Sequence, residues 1–257
     1  MIAGDQPTCF PDNILARVSS RQDGTVLDRA VGIHNQNIVT NRTRFCDTNG
    51  ISYGKVVYQR IQYDDMQTYV RIADVDERHT CRFVDEVAAD ALVTSSRGVG
   101  LLLPVADCVA TVIYDGVQER IALVHLGRHS TVANLMAKVL EHMHTLGSDT
   151  EDIVIWMAPS VQQAHYRMEY FDLKDSPEWR EYCEYRDDGF YVDLQGYNHA
   201  RAIDAGVLPE HVIISSVDTA VDRNYFSHSQ GDTAGRFAVL AMVQPSQSDV
   251  VSRSPLV

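Results

Sequence analysis

Apolar residues gather in short runs through the middle of the chain. Gly98 to Val105, Val109 to Tyr114 and Ile121 to Val124 are nearly continuous, the pattern of strands covered on both faces. Ile153 to Ala158, stopped by Pro159, reads the same way, as do Val212 to Ser216 and Phe237 to Val243. Arg236 stands at the mouth of the last run. A different period governs Ser130 to Gly147. There Val132, Leu135, Met136, Val139, Leu140 and Met143 fall on one helical stripe. Ser130 suits the N-cap of this helix, and Gly147 the residue just past its end.

The flanks are less regular. Ile14 to Val18 predicts a strand closed by the Gln22-Asp23-Gly24 turn. Val56 to Ile61 and Thr68 to Ile72 predict two more. Residues 35–45 are polar with scattered apolar positions and match no template, and Asn49-Gly50 marks a turn. Residues 73–88 read as a solvated charged loop, and 170–189 as a short helix with loops. Tyr191 to Leu194 leads into a helix near Gln195 that stops at Ala205-Gly206. Several strands follow one another too closely for crossover helices. The expected class is therefore α/β with mixed sheets and helices outside. The expected organisation is a loose lead-in over 1–13, one domain over 14–243 and a disordered tail over 244–257. No Gly-x-Gly-x-x-Gly and no Walker loop occurs.

Composition narrows the partners. At 257 residues and 45% hydrophobic, the chain can bury a sizeable core. A net charge of −13 argues against a nucleic-acid polymer, though one small anion on a local Arg/His cluster is compatible with it. No apolar run is long enough for a membrane span, and Met1 to Pro7 does not resemble a signal peptide. The five cysteines include no Cys-x-x-Cys pair, which fits free thiols in a reducing cytoplasm.

Three constellations carry candidate chemistry. Ala106-Asp107-Cys108 and His125 bring a thiol and an imidazole to the ends of neighbouring strands, as a metal site or an activated thiolate requires. Arg128, His129 and Ser130 stand at the start of the long helix, where free N–H groups favour an anion. Phe226-Ser227-His228-Ser229 and Gly235-Arg236 bracket a turn and place a histidine and a guanidinium near one strand end. His142 and His144 face solvent on the long helix, while His165, His199 and His211 are isolated. His79, in the charged loop, carries no chemistry alone.

Taken together, these residues resemble the laccase-domain family, also described as multicopper polyphenol oxidase or bacterial purine nucleoside phosphorylase. The resemblance rests on Ala89-Asp90-Ala91-Leu92-Val93-Thr94, Ala106-Asp107-Cys108, His125 with Gly127, Ala158-Pro159, Phe226-Ser227-His228 and Gly235-Arg236, with Asn41-Arg42 further upstream. It implies a single-domain four-layer α/β/β/α sandwich and a zinc ion held by two histidines and a cysteine, copper being an older label. Cys108 and His125 match two of those ligands. For the third, a family Gln-x-His-Gly segment aligns by local pattern with Gln62-Tyr63-Asp64-Asp65, which puts Tyr63 at the ligand position; the alternative is His79. The implied substrates are a purine nucleoside and phosphate, for phosphorolysis or adenosine deamination by a monomer or homodimer. Cys108, His125 and Asp107 would be catalytic, with Asp107 orienting His125. Arg128, His129, Ser130, His228, Arg236 and Arg42 would bind substrate or phosphate.

The chain also departs from the family. His125-Leu126-Gly127-Arg128-His129-Ser130 replaces a His-Ala-Gly-Trp-Arg-Gly segment, Asp218-Thr219 a Cys-Thr pair, and Ser229-Gln230 a double arginine. Two other readings follow from these losses. One is a metal-free cysteine hydrolase or deamidase, since the family fold resembles that of bacterial toxin glutamine deamidases. The other is a non-catalytic purine- or phosphate-binding module.

Overall fold

Leu101, Leu103 and Val105 enter one apolar core, whereas Leu102, between them, enters another. This period of two is what a strand with both faces covered imposes. The computed structural model describes residues 1–63 and 69–246. Its strands are β1 (Ile14–Val18), β2 (Leu27–Asp28), β3 (Val56–Arg60), β4 (Ile72–Asp74), β5 (Val87–Ala88), β6 (Ala91–Thr94), β7 (Gly100–Val105), β8 (Val109–Asp115), β9 (Arg120–Leu126), β10 (Ile153–Met157), β11 (Arg167–Met168), β12 (Cys183–Arg186), β13 (Gly189–Val192), β14 (Val212–Ile214) and β15 (Gly235–Val243). Its helices are α1 (Gln36–Thr48), α2 (Arg128–Val132), α3 (Leu135–Thr145) and α4 (Leu194–Asp204).

Two six-stranded sheets form the centre. One runs β1-β15-β7-β3-β5, with β2 added on β15; the other runs β14-β10-β8-β9-β6-β4. Each mixes parallel and antiparallel pairs: β7 with β3 is parallel, β8 with β9 antiparallel. Between the sheets lie Val18, Leu101, Leu103, Val239 and Ala241 from the first, and Val112, Leu123 and Trp156 from the second. The outer face of the second sheet is covered by α3 and α4 through Leu135, Met136, Val139, Leu140, Met143, Leu194 and Tyr197. The outer face of the first is covered by α1 through Ile38, Phe45 and Cys46. This is the expected four-layer α/β/β/α sandwich. A small third sheet, β11-β13-β12, lies outside it.

Several elements differ from expectation. Residues 35–45 fall almost wholly in α1, which continues to Thr48. The long helix is two helices. Asn134 adopts the left-handed conformation (φ 57°) between them, which Asn tolerates better than most side chains. Val132 is exposed and leaves the stripe. Gly147, at φ +96°, closes α3 as expected. Ser130 is not an N-cap. Gly127 takes that place, and the Ser130 hydroxyl, one turn in, accepts from Gly127 N–H (2.9 Å) and donates to the His125 carbonyl (2.7 Å).

The expected Thr68 to Ile72 strand begins only at Ile72, and Thr68 is outside the described residues. Within 170–189 a strand, β12, accompanies the short helical turn at Pro177–Trp179. The first thirteen residues are tied down: Gln6 bonds both backbone groups of Val18, and Asp5 accepts from the Tyr225 hydroxyl at 2.7 Å. Most of the expected C-terminal tail, 247–257, lies outside the described residues.

Phe237, on β15, is fully buried between the sheets and meets Tyr225 edge-on, with ring centroids 5.1 Å apart. Phe237→Ala should therefore cost about 3–5 kcal/mol in urea unfolding. A loss below about 1 kcal/mol would show that the inter-sheet core does not depend on it.

Candidate active site

The site is built on the turn between β7 and β8. Asp107 holds φ at 71°, a backbone region unusual for any residue but glycine, although Asp and Asn reach it at lower cost than most. Its carboxylate is buried. One oxygen accepts from the Thr219 hydroxyl (2.7 Å) and the other from Ser229 N–H (2.7 Å), while the Asp107 carbonyl accepts from Val161 N–H (3.0 Å). Four chain segments are thus drawn together at one residue. This corrects the expected role of Asp107, which bonds these segments and not His125.

Cys108 follows, and His125 reaches the same place from β9. The β8–β9 register pairs Ala110 with His125 and Val109 with Leu126, so His125 lies inside the strand and not beyond its end. Gly127 separates the two side chains from the backbone. A methyl group there would stand 3.1 Å from Cys108 Sγ, 3.0 Å from His125 Cε1 and 3.3 Å from its Nε2. The thiol and the Nε2 edge of the imidazole therefore face the same small space. His125 Nδ1 is buried without a hydrogen-bond partner among the described residues.

Both groups open into a pocket of about 470 Å³. Asp107, Cys108, His125, His228 and Arg236, named from separate motifs, all line it. Arg29, Gln59, Ile61, Tyr63 and Tyr166 line it as well. Of these, only Tyr63 stands out in the sequence. Arg29 sits in a short stretch with no recognisable motif, and strand register is what brings it in.

The remaining candidates lie elsewhere. His79 closes a helical turn and bonds Asp76 through Nδ1 at 3.0 Å; it does not line the pocket. Arg42 packs in the core under α1. Its Nε donates to the Val26 carbonyl at 2.6 Å, and its guanidinium lies 4.2 Å from the Tyr58 ring centroid. It packs against Tyr58, a residue of the pocket wall, and does not itself line the pocket. Arg128 Nη2 and His129 Nε2 are 2.9 Å apart, and the His129 ring stacks on Tyr69 with centroids 4.5 Å apart. Neither lines the pocket, and Ser130 is consumed in its backbone bonds. Arg128, His129 and Ser130, expected to bind an anion at the helix start, thus lie outside the pocket that holds Cys108 and His125.

Burial dominates the electrostatics. It pushes the Cys108 thiol up to about 11, with the Asp107 charge adding and Arg236 and Arg29 opposing. A nucleophilic cysteine needs its thiolate favoured, so the free thiol does not suit the metal-free cysteine hydrolase. His125 is driven down to about 4, first by burial and then by Arg29 and Arg236, and is neutral at pH 7.

As a metal centre the pocket falls short. Catalytic zinc takes three protein ligands from Cys, His, Asp or Glu and leaves a fourth position open. Cys108 and His125 supply two. Among the described residues no group of three such side chains comes together. The wall beyond Gln59 presents Ile61 and Tyr63 in place of an imidazole, and Arg29, Arg60 and Arg236 also line the space. Among the described residues, Cys108 and His125 alone do not complete a zinc or copper ligand set, and no step below runs through a metal.

Comparison with known proteins places the fold and the pocket motifs in context. The description "multi-copper polyphenol oxidoreductase laccase" matches the chain over residues 18–244, nearly its whole described length. The chain belongs to this laccase family. A purine nucleoside phosphorylase of Mycobacterium bovis is 27% identical over 211 residues, covering 80% of each chain. One of Corynebacterium glutamicum is 33% identical over 138 residues, and there the match spans only 54% of each protein. A relative from an unknown prokaryotic organism, 28% identical over 164 residues (56% of this chain and 60% of that one), is named an adenosine deaminase. Among solved structures, YlmD from Geobacillus stearothermophilus superposes with a TM-score of 0.79 at 20% identity, covering 93% of this chain and 94% of that one. The two share their fold over nearly their whole length.

The neutral His125 has a measurable consequence. Its folded value is depressed from 6.5 to about 4. Between those values the unfolded chain takes up a proton that the native state refuses. Stability therefore falls as pH drops through this window, by up to about 1.4 kcal/mol per pH unit. Urea unfolding near pH 7 and near pH 5 should show a larger loss for the wild type than for His125→Asn. Equal losses would mean that His125 is not held neutral.

Proposed function

We propose that this laccase-family protein is a purine nucleoside phosphorylase acting in the Cys108–His125 pocket. One observation carries the reading. Cys108, His125, His228 and Arg236 come from four separate motifs yet line a single pocket, in a chain whose relatives are named for purine nucleoside chemistry. In phosphorolysis an oxygen of phosphate bonds to C1′ of the nucleoside as the bond from C1′ to the base nitrogen breaks. The pocket must therefore neutralise an anion, hold the ribose and receive a leaving base. Arg236, only 6% exposed, supplies fixed positive charge from the wall. His228, at the exposed mouth, orients the nucleoside. His125, neutral and with an unpartnered Nδ1, offers its Nε2 edge to the ribose or base. The Cys108 thiol packs beside it as a neutral group. Asp107 is a positioning residue that fixes the turn carrying Cys108.

Adenosine deamination is the companion activity that one relative's name suggests. It requires an activated water, for which the pocket's own residues offer only neutral His125 as a base. Zinc dependence, which the family resemblance implies, meets the ligand shortfall described above, and metal analysis of the purified protein addresses it. We place the protein in the cytoplasm, as a monomer or homodimer. Free cysteines agree with this, and no helix among the described residues is long and apolar enough to cross a membrane.

Incubation of the purified protein with inosine and phosphate should release hypoxanthine and ribose 1-phosphate. His125→Ala should lower kcat/KM by about a hundredfold while leaving the circular-dichroism spectrum unchanged. No base release by the wild type, with or without added zinc, would overturn the reading.

A further inference from the structure

The pocket holds more positive charge than its surroundings neutralise. The register between β2 and β15 explains how. Leu27 pairs with Arg236 and Asp28 with Gly235, and Arg29 N–H continues the ladder to the Ala234 carbonyl at 3.4 Å. Side chains two apart on a strand share a face, so Leu27, Arg29 and Arg236 emerge on the same side. Arg29 and Arg236 are then diagonal neighbours across the pair, within reach of one another for side chains of this length. Both line the pocket beside Cys108 and His125.

Neither guanidinium has a carboxylate partner among the described residues. Arg236 Nη1 donates to its neighbour's carbonyl at 2.6 Å, and Arg29 lies with its guanidinium carbon 5.5 Å from the Tyr63 ring centroid. Among the described residues, Asp28 accepts from Ala30 N–H and Asp232 pairs with Arg21, while the Asp107 oxygens accept from Thr219 and Ser229 and its charge offsets Arg236 only in part. The third arginine of the pocket, Arg60, is paired with Glu86. Two guanidinium groups that only one nearby carboxylate among the described residues, Asp107, offsets in part repel one another in a partly buried site. A bound oxyanion removes that repulsion, and the planar fork of each suits phosphate oxygens. The mutual repulsion also lowers the affinity of buried Arg236 for its proton, second only to the effect of burial.

We propose that Arg29 and Arg236 form a two-guanidinium clamp for a phosphate group, set against Cys108 and His125. The clamp rests on the phosphorylase reading only for its role in turnover. It replaces the helix-start site at Arg128, His129 and Ser130 as the place where phosphate binds. It also assigns a role to Arg29, and it makes the pocket a receiver of anions more than of metal cations. The group bound is either free phosphate or the phosphate of a nucleoside monophosphate.

Calorimetric titration of the full-length protein with inorganic phosphate tests this. Saturable binding is expected, weakened by at least about tenfold in Arg29→Ala, and weakened less in Arg29→Lys, which keeps the charge but loses the fork. Titration with adenosine 5′-monophosphate in the presence of phosphate separates the two sources. Displacement assigns the clamp to a phosphomonoester, and its absence assigns it to free phosphate. Should Arg29→Ala fail to fold by circular dichroism, a Kd unchanged in Arg29→Lys serves as the contrary result. The clamp is wrong if neither anion binds saturably, or if binding is unchanged in a folded Arg29→Ala. Inosine turnover with an unchanged KM for phosphate in Arg29→Ala would remove the clamp and leave the phosphorylase reading standing. Arg29-dependent phosphate binding without base release would do the reverse.

Discussion

Everything in the pocket hangs on the buried carboxylate of Asp107. An uncompensated charge at that depth would be strongly destabilising, so its two oxygens must be satisfied. The Thr219 hydroxyl and Ser229 N–H do this, and they come from loops more than a hundred residues along the chain. The same contacts hold the backbone of residue 107 in its left-handed conformation and so aim Cys108 into the pocket. Ser229 is in turn adjacent to His228, so the bond that satisfies the acid also brings the mouth of the pocket to its floor. The second sheet then contributes His125 through a register that buries six of the seven residues of β9. A rigid two-sheet core thus supports a site whose parts arrive from distant points of the sequence.

The electrostatic character follows from what surrounds that acid. Asp107 is hydrogen-bonded to neutral donors and its charge offsets Arg236 only in part, so Arg29 and Arg236 together outweigh it. Burial keeps Cys108 and His125 neutral. A pocket with a neutral thiol, a neutral imidazole and two guanidinium groups that lack a carboxylate hydrogen-bond partner among the described residues suits an oxyanion better than a divalent cation. The overall charge of −13 makes this local excess of positive charge more telling, because it runs against the rest of the surface.

How much of this was legible depended on the reach of the interactions. The buried strands β7 to β10 were readable because both faces are covered, which forces continuous apolar runs. Helix α1 was hidden because its core-facing row is Ile38, Arg42, Phe45 and Cys46, with an arginine where the stripe needs an apolar residue. Arg42 is tolerated there only because its guanidinium finds the Val26 carbonyl and the face of Tyr58, partners that no local pattern announces. The break at Asn134 was likewise invisible to periodicity, since the apolar stripe resumes directly after it. Within the site, Cys108, His125, His228 and Arg236 were legible as motif residues, whereas His79, Arg42 and the Arg128–Ser130 segment do not line the pocket. Arg29 had no signature in the sequence, because its place depends on a two-residue strand that pairs across more than two hundred positions.

The most direct test of this account is a double-mutant cycle between Asp107 and Thr219, read by urea unfolding with Asp107→Ala, Thr219→Val and the pair. The backbone cost of residue 107 cancels within the cycle, which isolates the buried bond. A coupling of about 1–3 kcal/mol is expected for a desolvated, charge-assisted hydrogen bond. Additive losses, with coupling near zero, would mean that Asp107 does not hold the site together.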